Sequence, residues 1–241
     1  MPGESEGRDG HLRAGAVLTV PAAASAVSPG LPRGVDVLLS AAGLIAASPV
    51  LVLAAAAVAF TSGFPVFFRQ TRVGRGGKPF TLVKLRTMRV SGGGPEVTAR
   101  GDARVTPVGR LLRRTKIDEL PQLWNVLRGD MAVVGPRPEV ARYVQNTDPV
   151  WQEVLRSKPG LTDPVTLKLK DEEALLAQVE GDRERFYRET LQPFKLRGYA
   201  DYLRTRTWRS DLGVIWDTFR TVIWPGPAIR PVDLSGGPPR T

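Results

Sequence analysis

The chain has 241 residues and carries 34 Lys and Arg against 24 Asp and Glu, a formal net charge of +10 that points to polyanionic partners: nucleic acid, phosphorylated substrates or an anionic membrane surface. It has no cysteine and one histidine, His11, which excludes disulfides, thiolate nucleophiles and Cys-ligated metals and nearly excludes a His-based triad or metal cluster. Nucleophilic, acid–base and metal chemistry then falls to carboxylates, Lys, Tyr or Ser, and a required metal is a hard, oxygen-ligated ion such as Mg²⁺.

Residues 1–32 are rich in Gly, Ala, Ser and Pro and predict a disordered leader. The leader lacks a basic start running into an apolar stretch, so it does not predict a signal peptide. From Val37 to Phe68 there are 32 residues without a charge, with Val37–Phe60 as the apolar core. As a straight helix those 24 residues reach about 36 Å, enough for a hydrocarbon layer of about 30 Å. Pro49 sits at the midpoint, after Ser48. It removes one backbone bond and clashes with the carbonyl of Ile45. A Ser hydroxyl can satisfy the freed group at membrane depth. Two arms, Val37–Ser48 and Pro49–Phe60, fit a hairpin that enters and leaves by one face; a kinked single span fits equally. Arg69, Arg72, Arg75 and Lys78 crowd the C-terminal flank and predict that this side is cytoplasmic.

Residues 69–116 hold thirteen cations against Glu96 and Asp102, a local excess of eleven. This is a cationic zone beside the membrane segment, read either as a lipid-facing patch or as a phosphate site. Phe64–Thr71 and Phe80–Met88 predict short strands around a hairpin turn at Gly74–Lys78. Ser91–Gly101 predicts a loop, and Val108–Arg114 a short helix. Asp118–Arg128 predicts a second helix stopped by Gly129, with Asp118 as N-cap and Leu120, Leu123, Trp124 and Leu127 as one buried stripe. Amphipathic helices are expected near Val140–Arg156, Glu172–Arg188, Pro193–Arg204 and Trp208–Trp224. In the last, Trp208, Leu212, Ile215, Trp216, Phe219, Ile223 and Trp224 share a broad face that suits either a membrane interface or a core. The tail from Pro225 is Pro/Gly-rich and predicts disorder.

Three features carry chemistry. Asp118-Glu119 follows the basic run Arg113-Arg114-Thr115-Lys116. Capping is the ordinary role of such a pair, but an Asp carboxylate can also attack phosphorus, and a neighbouring acid can hold Mg²⁺. Val133-Val134-Gly135-Pro136-Arg137-Pro138 predicts a strand ending in a rigid turn that presents Arg137, either as a surface residue or as a bidentate phosphate ligand. Lys84 and Arg86 alternate on a strand and share one face.

The string from Asp102-Ala103-Arg104-Val105-Thr106 through Gly109-Arg110-Leu111-Leu112-Arg113, Asp118-Glu119-Leu120-Pro121-Gln122-Leu123-Trp124-Asn125-Val126-Leu127, Gly129-Asp130-Met131 and Val134-Gly135-Pro136-Arg137-Pro138 closely resembles the bacterial sugar transferases, the monotopic polyprenyl-phosphate phosphoglycosyl transferases. Asp36, Ser48-Pro49, Phe67-Phe68-Arg69-Gln70, Gly77-Lys78-Pro79-Phe80, Lys84-Leu85-Arg86-Thr87-Met88, Lys158-Pro159-Gly160-Leu161-Thr162 and Asp201-Tyr202 with Asp211-Leu212 are similar to the same family. The likeness covers about Arg33 to Ile223.

The resemblance implies an α+β, mainly helical fold: a small cytoplasmic catalytic domain with an N-terminal re-entrant membrane helix-break-helix, turned at Ser48-Pro49, and interfacial amphipathic helices. The expected organisation is leader 1–32, membrane hairpin 33–62, catalytic domain 63–224 and tail 225–241. The resemblance further implies that Asp118 attacks the β-phosphoryl group of a UDP-sugar, releasing UMP. Polyprenyl phosphate, in the form of undecaprenyl phosphate, then takes the phosphosugar. Glu119 would bind Mg²⁺ with Asp118 or assist the acceptor, and Lys84, Arg86, Arg114 and Arg137 would lie near the phosphates or nucleotide. Expected partners are the UDP-sugar, polyprenyl phosphate and inner-membrane lipids, not nucleic acid, with a homodimer left open. Departures are Leu85, where relatives commonly have Phe, and Asp163-Pro164-Val165-Thr166, where many have a Gly- and Gln-containing stretch. The reading from a different class is a membrane-anchored cationic scaffold that binds nucleic acid or anionic lipid.

Overall fold

A computed structural model describes residues 28–89, 97–169 and 171–224. Most of the expected leader, residues 1–27, the first part of the expected Ser91–Gly101 loop and the tail from residue 225 lie outside the described residues. Ser28 to Pro32, assigned above to the leader, is tied down: the Ser28 amide donates to the Leu203 carbonyl at 3.1 Å and the Leu31 amide to Asp211 Oδ2 at 2.8 Å.

Helix α1 (Arg33–Ser62) runs unbroken for 30 residues with Pro49 inside it, where a break into two arms at Ser48-Pro49 was expected. Ser48 Oγ donates to the Ile45 carbonyl at 2.8 Å, the acceptor that Pro49 leaves without its amide partner. Most of the helix carries exposed apolar side chains, among them Leu38, Ile45, Val52, Leu53 and Phe60. Both of its ends touch the rest of the protein through polar contacts. At the start, Arg33 donates to the Val126 and Leu127 carbonyls at 2.6 and 2.8 Å, and Asp36 Oδ1 accepts from the Val133 amide at 3.0 Å. At the finish, Arg86 donates to the Ser62 and Gly63 carbonyls. Between them, Ala54 and Val58 pack on Leu85 and Leu112.

Strands β1 (Phe67–Val73) and β2 (Pro79–Leu85) form the expected antiparallel hairpin, in register Phe67↔Leu85 to Val73↔Pro79. The turn between them uses Gly76 at φ 67°, which favours glycine. Helix α2 (Pro107–Thr115) starts from Thr106, whose side chain accepts the Gly109 amide, with Pro107 in the first turn. Gly109 lies against the Thr87 backbone so closely that an added Cβ would meet the Thr87 carbonyl oxygen at 2.1 Å.

The expected Asp118–Arg128 helix is corrected. Lys116 turns left-handed at φ 59°, Ile117–Glu119 is a 3₁₀ turn, and helix α3 (Gln122–Arg128) begins only after Pro121. Pro121 has no amide to give to Ile117, so the chain makes i→i+3 bonds, Leu120 to Ile117 at 3.3 Å and Leu123 to Leu120 at 3.0 Å. Asp118 is therefore not a cap. The expected stripe also rotates. Gln122, Leu123, Asn125 and Val126 are buried while Trp124 faces out. Asn125 decides this orientation: its side chain accepts the Val83 amide at 3.1 Å and donates to the Thr81 carbonyl at 2.7 Å, joining α3 to β2.

Strand β3 (Ala132–Val134) runs parallel to β4 (Gly160–Thr162). The approach beyond it is close enough that a Cβ on Gly160 would lie 2.1 Å from the Gly135 nitrogen. The single helix expected over Val140–Arg156 is instead a 3₁₀ turn at Ala141–Tyr143 and helix α4 (Pro149–Val154), capped by Asp148. Helices α5 (Pro164–Leu169) and α6 (Glu172–Ala177) follow, and Gly181 at φ 89° breaks the helix expected to Arg188. Helix α7 (Arg183–Phe186), a π-helical turn (Tyr187–Leu191) and α8 (Gln192–Thr205) then run on without a loop. Pro193, which cannot donate, follows the wide turn directly. Trp151, Leu155, Leu175, Leu176, Leu191 and Phe194 belong to the largest core cluster. Helix α9 (Trp208–Ile223) packs Asp211 and Val214 inward and leaves Trp208, Leu212, Trp216 and Phe219 exposed, so this face is not core.

Candidate active site

The 3₁₀ turn after α2 holds Asp118 at 4% exposure, with Oδ1 buried and without a hydrogen-bond partner. Burial, reinforced by the Glu119 charge, pushes its carboxyl up to about 6; Lys84, Lys116 and Arg113 pull the other way. A buried carboxylate oxygen left unsatisfied is costly and calls for a function.

Glu119 is placed differently. Arg137 grips it with two bonds, Nη1 to Oε2 at 3.1 Å and Nη2 to Oε1 at 2.7 Å. Burial alone would raise its pKa, but Arg137 and Lys116 outweigh burial and hold it well below the usual carboxylate range. The adjacent acids are therefore shifted in opposite directions, Asp118 toward protonation and Glu119 toward ionisation.

Arg137 sits in the Pro136-Arg137-Pro138 turn, and the chain around it is fixed on both sides. The Pro136 carbonyl accepts the Gly160 amide at 2.9 Å, the Pro138 carbonyl accepts Arg72 Nη1 at 3.0 Å, and the Glu139 carbonyl accepts the Val73 amide at 2.8 Å. The preorganised arginine expected from the flanking prolines is present, with its fork on Glu119.

Lys84 projects from β2 with Nζ 5.3 Å from the Phe68 ring centroid. Burial lowers it to about 8, against the pull of Glu119 and Asp118. Arg86, predicted on the same face, is 5% exposed and holds the end of α1 through Ser62 and Gly63. Arg114, the other cation expected here, is exposed. Its neighbour Arg113 is the one whose charge acts on both Asp118 and Lys84. Arg113 Nε donates to Thr87 Oγ1 at 2.8 Å and Nη1 to Glu173 Oε1 at 2.6 Å. The missed signal was helical phase. Leu112 faces the core, so Arg113 lies beside that face and Arg114 about 200° from Leu112.

Four cations of the zone turn inward, while Arg69, Arg75, Lys78, Arg89, Arg100, Arg110, Arg114 and Lys116 stay exposed. Arg72 bonds Gln70 and Pro138, Arg86 the end of α1, Arg104 Asp102, and Arg113 Thr87 and Glu173.

For Mg²⁺ the donors are oxygens only. Among the described residues no group of three His, Cys, Asp or Glu converges. Mg²⁺ takes one or two carboxylates and completes its shell with substrate phosphates and water; Asp118 fits that donor type, while both Glu119 oxygens already accept from Arg137.

The family model described as bacterial sugar transferase matches residues 28–225. Among similar proteins, a UDP-glucose:undecaprenyl-phosphate glucose-1-phosphate transferase of Caulobacter vibrioides is 40% identical over 196 residues, covering 79% of this chain and 69% of the relative. An enzyme of the same name from Klebsiella pneumoniae is 38% identical over 190 residues, 76% of this chain and 38% of the relative. A putative undecaprenyl-phosphate N-acetylgalactosaminyl 1-phosphate transferase of Bacillus subtilis is 40% identical over 135 residues, 55% of this chain and 71% of the relative. The chain therefore spans little more than a third of the Klebsiella protein.

Proposed function

Since the chain belongs to the bacterial sugar transferase family, we propose that it transfers a sugar 1-phosphate from a UDP-sugar to undecaprenyl phosphate through a covalent phosphosugar–Asp118 intermediate. The observation that carries the reading is the buried, partnerless Oδ1 of Asp118 next to an ionised Glu119 and the cations Lys84, Arg113 and Arg137.

In the first half-reaction an Asp118 carboxylate oxygen bonds to the β-phosphorus of the donor while the bond to the α-phosphate bridging oxygen breaks, and UMP leaves with that electron pair. In the second, a phosphate oxygen of the lipid acceptor bonds to the same phosphorus. The Asp118–phosphorus bond breaks, the free carboxylate returns and a polyprenyl diphosphate sugar departs. Above pH 6 Asp118 is ionised yet poorly solvated, the state that favours attack. Lys84 and Arg113 supply positive charge where phosphate charge gathers. Arg137 holds Glu119 as an anion. Asp118 and Glu119 are the residues that would hold Mg²⁺, which would supply positive charge to neutralise the phosphates.

Both ends of α1 are tied to one domain, Arg33 and Asp36 at the start and Ser62 and Gly63 at the finish. That supports a re-entrant helix, since a spanning helix would separate its ends across the bilayer. With the exposed aromatic face of α9, it supports a domain lying on the cytoplasmic face of the inner membrane. The relatives' names differ in the sugar, so donor identity is left open; the product would be the first lipid-linked intermediate of a surface polysaccharide or glycoconjugate.

The test is intact-protein mass spectrometry after mixing with UDP-sugars and Mg²⁺ without acceptor. A phosphosugar adduct on the wild type, absent from Asp118→Asn, is the expected result. Normal UMP release by Asp118→Asn would remove the covalent mechanism.

A further inference from the structure

Lys195 carries its charge inside the protein. It stands on α8 at 3% exposure, between Phe194 and Leu196 of the largest core cluster. Its Nζ lies 3.4 Å from Glu139 Oε1 and 3.2 Å from Glu172 Oε2. The Tyr187 hydroxyl donates to the same Glu139 oxygen, and Arg72 Nη1 lies 3.9 Å from the other. Burial works against the Lys195 charge, but Glu172, Tyr199 and Glu139 outweigh burial and hold its pKa above the ordinary lysine value.

Two features set this network apart from ordinary core packing. A buried ion pair gives back much of its attraction as desolvation, and apolar residues of similar volume often serve stability as well or better. What the charges add here is a fixed geometry. The chain also changes its winding to make it. Residues eight apart on a straight α-helix point about 80° apart. The π-helical turn Tyr187–Leu191 winds more slowly, and the side chains of Tyr187 and Lys195 both reach Glu139 Oε1.

That geometry sits at the base of Arg137. Glu139 is two residues beyond it, with only Pro138 between them, whose ring fixes φ. The proline after Arg137 restricts the arginine's own backbone as well. A carboxylate clamped at Glu139 therefore sets where the Arg137 side chain leaves the main chain. From the other side of Lys195, Glu172 adds its charge to that of Glu119 in raising the pKa of Arg137.

We propose that Lys195 is a positioning residue for the reacting centre: with Tyr187 it clamps Glu139 and so sets Arg137 for its two-bond grip on Glu119. It acts through Arg137. Its part in catalysis rests on the transferase reading above, whereas its part in the Arg137–Glu119 grip does not.

The experiment measures the coupling between Arg137 and Glu119 in unfolding of the full chain in detergent, from Glu119→Gln and Arg137→Gln made singly and together. The cycle is repeated in three backgrounds, Lys195→Met, Tyr187→Phe and Leu203→Val. The first removes the buried charge. The second takes away one hydroxyl and leaves the Lys195 charge in place, and it decides the matter if Lys195→Met does not fold. The third loosens the core at a fully buried leucine away from Glu139. The coupling is expected to fall by about half or more in Lys195→Met, to fall by a smaller amount in Tyr187→Phe, and to stay at its wild-type size in Leu203→Val. Unchanged coupling in Tyr187→Phe, or an equal fall in Leu203→Val, overturns the proposal. UMP release by the same proteins reads the consequence. Lys195→Met lowers kcat/KM by about ten-fold or more, the scale for a slightly misplaced catalytic group. Added to Arg137→Lys, it costs less than about two-fold further, because the two residues act as a unit. Losses that multiply independently overturn the proposal as well. A wild type that releases no UMP from any UDP-sugar, with the coupling behaving as stated, defeats the transferase reading alone. Normal release with an unmoved coupling defeats this proposal alone.

Discussion

Arg137 and Glu119 lie eighteen residues apart in sequence and meet fork to fork, with Nη2 2.7 Å from Oε1 and Nη1 3.1 Å from Oε2. Their side chains keep 34% and 16% of their accessible surface, so solvent weakens the pair without removing it. Arg137→Lys keeps the charge and gives up the planar geometry. In a double-mutant cycle with Glu119→Gln and Arg137→Gln, the expected coupling is about 1–2 kcal/mol in thermal or chemical unfolding. Arg137→Lys is expected to recover less than half of it. Additive single effects would mean that the pair is an accident of geometry and that Glu119 does not depend on Arg137 for its charge.

The two groups with displaced protonation set a window. Asp118, pushed up to about 6, must be ionised to attack, and Lys84, brought down to about 8, must be cationic to balance phosphate charge. Turnover against pH is expected to rise near 6 and fall near 8. Lys84→Arg should keep the acid limb and remove the alkaline one. Stability runs the other way for Asp118. The raised folded-state pKa means that its ionisation costs the fold nothing below the unfolded value of 3.8, and the cost is complete above about 6. Asp118→Asn should therefore raise the melting temperature relative to wild type at pH 8 and leave it unchanged at pH 3.5. An unaltered difference across that range would mean that Asp118 is not held in a poorly solvated place.

The hairpin, most of α2 and the final helix were legible because their signals are local: alternation around Gly74–Lys78, the short helix read at Val108–Arg114, and apolar spacing in Trp208–Ile223. The site residues Asp118, Glu119, Lys84 and Arg137 were legible as a motif, but their environments were not. The opposed protonation of Asp118 and Glu119 depends on Arg137 arriving from another turn. Long-range and competing effects explain the rest. Asp118 reads as a cap until Pro121 converts the turn to i→i+3 bonding, and Trp124 reads as buried until Asn125 anchors α3 to β2. The helix expected over Glu172–Arg188 fails at Gly181, while the helix expected from Pro193 begins at Gln192, directly after a π-helical turn.

Arg113 and Arg114 adjoin in sequence and separate in space, and this yields a discriminating pair of variants. Arg113 is fixed by Thr87 and Glu173 and its charge reaches Asp118 and Lys84; Arg114 is exposed. Arg113→Ala is expected to lower kcat/KM by about 10²-fold or more, the scale for losing one preorganised charge at a reacting phosphate. Arg114→Ala should stay within about two-fold of wild type, as exposed substitutions away from a site do. Steady-state UMP release at saturating acceptor measures both, with a melting curve to show that each variant folds. A large loss in Arg114→Ala with a small one in Arg113→Ala would reverse the assignment.

The polar anchors at the two ends of α1 make topology testable. Arg33 and Asp36 reach α3 and β3, while Ser62 and Gly63 receive Arg86, so the start and finish of the apolar helix are held by the same body. Ser48 Oγ on the Ile45 carbonyl relieves the defect that Pro49 creates midway. If the helix re-enters, a label placed before it and one placed after it lie on the same side of the membrane. The chain has no native thiol, so single cysteines report without background. Ser5→Cys and Ser235→Cys are both expected to react with a membrane-impermeant maleimide only when the cytoplasmic face is open, as in inverted vesicles, and both to be silent in intact spheroplasts. Reaction of Ser5→Cys in intact spheroplasts with Ser235→Cys still protected would establish a spanning helix. The Arg33 and Asp36 contacts would then have to break when the protein enters a bilayer.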